Sequence, residues 1–375
     1  MLYLAIDQHR KQLTVNLRDE EGNVLLQRQV STRWQAVREF FQDMRERGRQ
    51  AGGWMVVVEV CGFNDWLLKL LVDYEVREIV LLQPEERQRQ KTDRRDANHL
   101  GELLWLNRQR LAAQLRVQGM RRVVIPSADE RLDRHLTSLR WGIGRERTRL
   151  LNRLKGLLRR HNVEQECPTK GIQTQQARCW LEQLALGELE RLELDQLLAR
   201  WQALEPERAA LEAKIRERQG RNLAAALIAT IPGMAAYTSL ALASRVGDVN
   251  RFPRPRSLAN YWGLTPSCRD SGETKQRLGS ITKQGSALAR FVLGQAVVHV
   301  LRKDAVLRHW YKGIKRRRGS KIARVAVMRR LATAIWHLLR KQQPYVLGGP
   351  RAKSKRRAQD AKVPTAAAEV AAAEV

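Results

Sequence analysis

The sequence predicts an α/β domain at the N-terminus, followed by long amphipathic helices and a mainly α-helical C-terminal domain. Three observations carry this. Short apolar runs alternate with helical patterns up to about residue 126, leucines recur every three, four or seven residues between 127 and 222, and beyond 223 the helical pattern is broken by a Pro-Gly turn and a polar loop. The tail from 346 is basic, then Ala-rich and repetitive, a composition expected to stay disordered.

Taken in order, residues 2–7 (LYLAID) form an apolar strand ending in Asp7, and 11–17 with 24–30 form the next two strands around the turn DEEGN. Ser31-Thr32 caps a helix through Met44, with Trp34, Val37, Phe40 and Phe41 on one face. WMVVVEV, 54–60, is the continuous apolar run of a strand covered on both faces, and it carries Glu59. A helix over 64–72, a strand over 76–82 and the turn Gln83-Pro84 lead to KTDRRDA, 91–97, which opens a further helix through Leu100, Leu103 and Leu104. The order β-β-β-α-β-α-β-α describes a mixed sheet of about five strands.

From 127 to 222, Leu132, Leu136, Leu139, Ile143, Leu150, Leu154 and Leu157, then Leu197, Trp201, Leu204, Leu211 and Ile215, have the spacing of a helical hairpin or coiled coil. The first of these helices carries Arg145, Arg149 and Arg153 among other bases, with few acids between them, which points to a nucleic-acid surface. In the third domain, 223–345, IPG at 231–233 has the helix, Pro-Gly turn, helix form of a helix-hairpin-helix, whose exposed turn amides, at Gly233, can hold a backbone phosphate. A polar loop follows, 265–277, then GSITKQG, a helix from Ser286 to about Arg302, and a last basic helix with Lys315, Arg316, Arg317, Arg318, Lys321 and Arg324.

Charge narrows the function. Lys and Arg number 69 against 39 Asp and Glu, a net +30 that exceeds any need for solubility and implies a polyanionic partner, nucleic acid before a membrane surface. No apolar run approaches the ~20 residues of a spanning helix and the chain opens on a strand pattern, so a cytoplasmic, membrane-free protein is expected. The four cysteines make no CxxC pair and no zinc spacing, and read as reduced thiols.

Four carboxylates are the chemical signal. Asp93 and Asp96 stand three apart on one helix, on one face with Cβ atoms roughly 5–6 Å apart. Alone they read first as a helix cap and the acid of a capping box. Asp7 and Glu59, each ending an apolar strand, turn the pair into a possible tetrad at one sheet edge. Four converging acids repel unless a cation offsets them, and hard oxygen donors favour Mg²⁺ or Mn²⁺.

AIDQHRKQLTV, VEVCGFNDWLLKLL and KTDRRDANHLGELL resemble the N-terminal RNase H/RuvC-like domain of the Piv-type, DEDD insertion-sequence transposases. The stretch from IPGMAAYTSLAL through GSITKQGSALARFVL resembles their C-terminal transposase domain. The resemblance implies that Asp7, Glu59, Asp93 and Asp96 bind the metal and that a serine in the loop after GLTP is the nucleophile. Ser267 and Ser271 are both available there, and Ser271, before Gly272, fits better. It implies phosphate contacts from Arg94, Arg95, Lys275, Arg277 and Lys283, a homodimer or homotetramer acting on DNA, and in some relatives a structured non-coding guide RNA. Two departures stand out: Val60-Cys61-Gly62 where a Thr or Ser is commoner, and Ser280 where an Arg is common. Two other functions are compatible with the residues: a RuvC-like nuclease or junction resolvase using water, and a non-catalytic nucleic-acid-binding protein.

Overall fold

The computed structural model describes residues 1–83, 93–115, 117, 120–268 and 278–348. These divide into two compact units, Met1–Ile125 and Pro126 onward. The expected tail beyond 348 lies outside the described residues.

The first unit begins with an antiparallel meander, β1 (Leu2–Gln8), β2 (Gln12–Arg18) and β3 (Val24–Ser31). After α1 (Trp34–Gln50), β4 (Trp54–Glu59) joins parallel to β1, and after α2 (Asp65–Asp73), β5 (Glu78–Gln83) joins parallel to β4. Two further helices, α3 (Asp93–Leu106) and α4 (Arg108–Ala112), precede β6 (Arg121–Val123), which closes the sheet antiparallel to β5 in the order β3-β2-β1-β4-β5-β6. The sheet therefore has six strands where the sequence pattern led us to expect about five. β6 is three residues of mostly basic sequence with no apolar run; the ion pair Arg122–Glu78 and the ladder to β5 hold it, and both depend on tertiary placement.

Strand alternation separates two cores. Leu4, Ile6, Val56 and Val58 pack with Val37, Phe40 and Phe41 of α1 and Leu67 and Leu71 of α2. Tyr3, Ala5, Met55 and Val57 face the opposite way, toward Leu100 and Leu104 of α3. Each fully buried side chain of this size stabilises by roughly 1.5–3 kcal/mol, which explains the unbroken apolar runs of β1 and β4. Gly101 lets α3 lie directly on the sheet, since a Cβ there would stand 2.4 Å from Asn16 Oδ1.

The second unit opens with α5 (Ala128–Arg160), started by a Ser127/Glu130 capping box. After α6 (Gln175–Gln183) comes α7 (Glu188–Gly220). Ion pairs Arg140–Glu212, Arg147–Glu205 and Arg160–Glu193 fix α5 and α7 antiparallel along their length. One end of the pair has its own core of Leu151, Leu154, Leu157, Leu158, Leu194 and Trp201. At the other end Ile215, with Leu136 and Trp141 against it, merges into the core of the helices that follow. Leu132 and Leu139, expected in the apolar seam, are 56% and 45% exposed, because α5 turns its inner face to α7 and α9 (Ala236–Val246) together, with α8 (Leu223–Ala229) preceding α9.

α10 (Pro255–Tyr261), the short ribbon β7 (Pro266–Cys268) with β8 (Leu278–Ile281), α11 (Ala287–Lys303) and α12 (Ala305–Lys341) complete the unit. The last of these, expected as one basic helix, is broken at Gly319, whose φ 80°, ψ 167° is open only to glycine. Its halves, 305–318 and 320–341, fold back on each other. The Arg330 guanidinium sits 5.1 Å from the centre of the Trp310 ring, residues that a straight helix would hold about 30 Å apart.

Candidate active site

Asp7 and Glu59 end neighbouring parallel strands. The β1–β4 register runs through Ile6 opposite Val58, so these acids are the next residue on each strand. By alternation both belong to the face that carries Tyr3, Ala5, Met55 and Val57, the face covered by α3. Asp7 is 7% exposed and Glu59 half-buried. Burial pushes the Cys61 thiol up, a hydrogen bond from the Phe63 backbone opposes this, and the charges of Asp7 and Glu59 push it further up. Both carboxylates thus lie within electrostatic reach of one sulfur.

Two hydrogen-bond sets hold this sheet end in place. The buried Asn64 donates through Nδ2 to Gln8 Oε1 at 2.8 Å and to the Glu59 carbonyl at 3.0 Å, and its Oδ1 accepts from the Cys61 N–H at 2.7 Å. Gln8 Nε2 donates in turn to the Phe63 carbonyl at 3.2 Å. The ends of β1 and β4 are therefore locked by side chains immediately beside the acids. His9 Nε2 lies 3.0 Å from Asp7 Oδ2. On the other side, Asn98 of α3 accepts from Arg18 at 2.9 Å and from Asn16 at 3.3 Å, which fixes the first turns of α3 over β2. Sequence reasoning missed Gln8, Asn64, Asn98 and Asn16; polar residues flanking the acid motifs were the only available sign, and such residues are common in turns.

Asp93 and Asp96 occupy the first turn of α3, which packs on β1 and β2. Asp96 is half-buried and Arg95 exposed. The side chains of Asp93 and Arg94, and Lys91 altogether, lie outside the described residues. Among the described residues no group of three His, Cys, Asp or Glu side chains gathers tightly enough to hold a metal ion, a set that leaves out Asp93. Asp7 and Glu59 bring two carboxylates to the covered face of the sheet, and carboxylate oxygens are the ligand type that suits a hard divalent cation.

In the second unit, Ser267 Oγ donates to the Ser280 carbonyl at 3.2 Å across the β7–β8 ribbon. Ser271, Lys275 and Arg277 lie outside the described residues. Lys283 is exposed at φ 56° and its N–H donates to the Gly263 carbonyl at 3.1 Å. Gly233, at φ 85°, is placed where a Cβ would meet His299 Cβ of α11 at 2.4 Å, so packing inside the unit already demands glycine there. On α5, Arg145, Arg149 and Arg153 are exposed at four-residue intervals. Acids come to this helix from its neighbour: Glu212, Glu205 and Glu193 of α7 pair with Arg140, Arg147 and Arg160 respectively, and Arg153 reaches Glu193 at 4.0 Å.

A mixed sheet with acids ending β1 and β4 and an acid-bearing helix across that face is the arrangement of the RNase H-like DEDD domains. Comparison with known proteins agrees. The DEDD transposase family model of the IS110 type matches residues 4–163, and the transposase IS116/IS110/IS902 family model matches residues 225–312. The chain belongs to this transposase family. It is 35% identical over 125 residues to the transposase for insertion sequence element IS1111A of Coxiella burnetii, covering 32% of this chain and 34% of that one. A probable family 20 transposase of Pseudomonas aeruginosa is 25% identical over 91% of this chain and 98% of its own length. The pilin gene-inverting protein of Moraxella lacunata is 29% identical over 33% of this chain and 39% of its own.

Proposed function

We propose that this protein is an insertion-sequence transposase, a DNA recombinase that cuts and rejoins strands by phosphoryl transfer. The observation that carries this reading is the placement of Asp7 and Glu59 side by side on the face covered by α3, whose first turn holds Asp93 and Asp96. Mg²⁺ or Mn²⁺ held by these four carboxylates would stabilise charge on the attacking and leaving oxygens of an in-line displacement. The chain's own residues position and exclude: Asn64 and Gln8 fix the strand ends, Asn98 fixes α3, and Arg94 and Arg95 neutralise backbone phosphate beside the acids.

The nucleophile in this reading is the Ser271 hydroxyl. Its Oγ attacks phosphorus and loses its proton, a phosphoserine ester forms, and the broken P–O bond leaves a strand-end hydroxyl that reverses the step on rejoining. Ser267 is the poorer choice because its hydroxyl is used in the β7–β8 ribbon. The exposed Arg145, Arg149 and Arg153 support binding of a structured guide RNA, and the exposed Leu132 and Leu139, seven residues apart, support self-association through α5 into a dimer or tetramer.

Trapping on a nicked substrate tests the reading. Wild-type protein with Mg²⁺ should yield a covalent protein–DNA adduct that Ser271→Ala does not form and Ser267→Ala does. Cleavage with no adduct would instead identify a nuclease that uses water. RNA of one structured type copurifying with the protein supports guidance, whereas a random mixture counts against it.

A further inference from the structure

We propose that the tip of the helical hairpin formed by 305–341 is a sequence-independent clamp on the phosphate backbone of duplex DNA. The base of the hairpin is part of the core, through Leu307, Val327, Met328 and Leu331. It is tied down by Asp304, whose carboxylate accepts from the Leu307 N–H at 2.8 Å, the Tyr345 hydroxyl at 3.0 Å and the Gly348 N–H at 2.9 Å. The tip projects from this base. Lys312, Lys315, Arg316, Arg317, Arg318 and Lys321 are all exposed there, around the reversal at Gly319.

Among the described residues none of these six forms an ion pair, and the sequence holds no carboxylate between Asp304 and Asp360. Six like charges on a short tip repel one another, and their side chains take no part in the unit's core, so folding alone gives them no role. A polyanion removes the repulsion. Single-stranded nucleic acid is held by aromatic stacking as well as charge, and residues 312–324 contain no aromatic side chain. Two helices side by side make a tip about 20 Å wide. That exceeds the ~12 Å major groove of B-DNA, so the tip bridges phosphates on either side of the groove without reaching base edges. The choice of DNA as the polyanion rests on the transposase reading; the surface itself does not.

The test is equilibrium binding of the full chain to two unrelated DNA duplexes across a salt series. Arg316→Gln/Arg317→Gln/Arg318→Gln should weaken binding to both sequences alike and make the log–log salt slope shallower by about three. Lys312→Gln/Lys315→Gln/Lys321→Gln, on the flanks of the same tip, should act in the same direction, which keeps the test open should either variant fold poorly by circular dichroism. Arg33→Gln/Arg38→Gln/Lys69→Gln, an equal loss of charge from exposed positions of α1, its N-cap and α2, should leave the slope at the wild-type value. The clamp is overturned if both tip variants bind as wild type or if the control loses as much as they do. Asp7→Asn should stop strand transfer and keep tip-dependent binding, so failure of the catalytic reading is distinguishable from failure of the clamp.

Discussion

At the level of single residues, Asp7 and Asn64 divide the labour of the sheet end. Asp7 is nearly buried against a covered face, and a carboxylate in that position must be met by hydrogen bonds or a cation. Asp7→Asn keeps the shape and removes the charge. It should lower strand transfer by more than about a hundredfold, since even a supporting residue of a metal site costs 10–100-fold when lost. An in vitro recombination assay with DNA binding measured in parallel checks this, and retained activity would remove Asp7 from the chemistry. Asn64 acts through others. Asn64→Ala leaves the part-buried Cys61 N–H and the buried Gln8 amide oxygen without this partner and should destabilise the first unit by about 1–3 kcal/mol, read by urea unfolding. A variant as stable as wild type would show that the latch between the ends of β1 and β4 does not hold them.

At the level of elements, how closely α3 lies on the sheet governs where its acids stand. Gly101→Ala forces a methyl group onto Asn16 Oδ1, so that either α3 lifts or Asn16 swings away from its bonds to Asn98 and Arg18. We expect a loss of about 1–3 kcal/mol together with a fall in strand transfer, although residue 101 carries no chemistry. Normal activity in that variant would mean that α3 tolerates displacement. The Asp304 tether has its own pH signature. Burial pushes its carboxyl up, but the hydrogen bonds from Leu307, Gly348 and Tyr345 outweigh this and hold it below its ordinary value of 3.8. A carboxyl lowered in the folded state contributes stability that is fully present above that ordinary value and is lost as pH falls through the lowered one. The stability of the wild-type chain should therefore drop more steeply on acidification below about pH 4 than that of Asp304→Asn, with urea midpoints across the acid range as the measurement.

For the molecule as a whole, a net charge of +30 makes salt the main control on nucleic-acid binding. A surface meeting six to ten phosphates loses about 10³–10⁵ in affinity between 50 and 200 mM salt; a flat salt dependence would exclude backbone contact as the source of binding. Much of the design is legible in the linear chain. β1 and β4 show themselves as apolar runs because both of their faces are covered, and Asp7, Glu59, Asp93 and Asp96 stand out as acids at the edges of such runs or three apart on a helix. The charge excess names the kind of partner. β6 was not legible because three residues held by a ladder and one ion pair leave no periodic signal. The pairing of Arg140, Arg147 and Arg160 escaped because their acids lie 72, 58 and 33 residues further along the chain, and the reversal at Gly319 escaped because a single glycine in a basic run looks like any helical glycine until its φ and ψ are seen. Local pattern and composition, which depend on neighbours along the chain, were determined by the sequence itself: the α/β-then-helical order, the four acids as candidates and a charge excess suited to a polyanion. Which face Asp7 and Glu59 share, which arginines are neutralised and where the basic run doubles back depend on contacts between distant segments, and only the tertiary structure decided them.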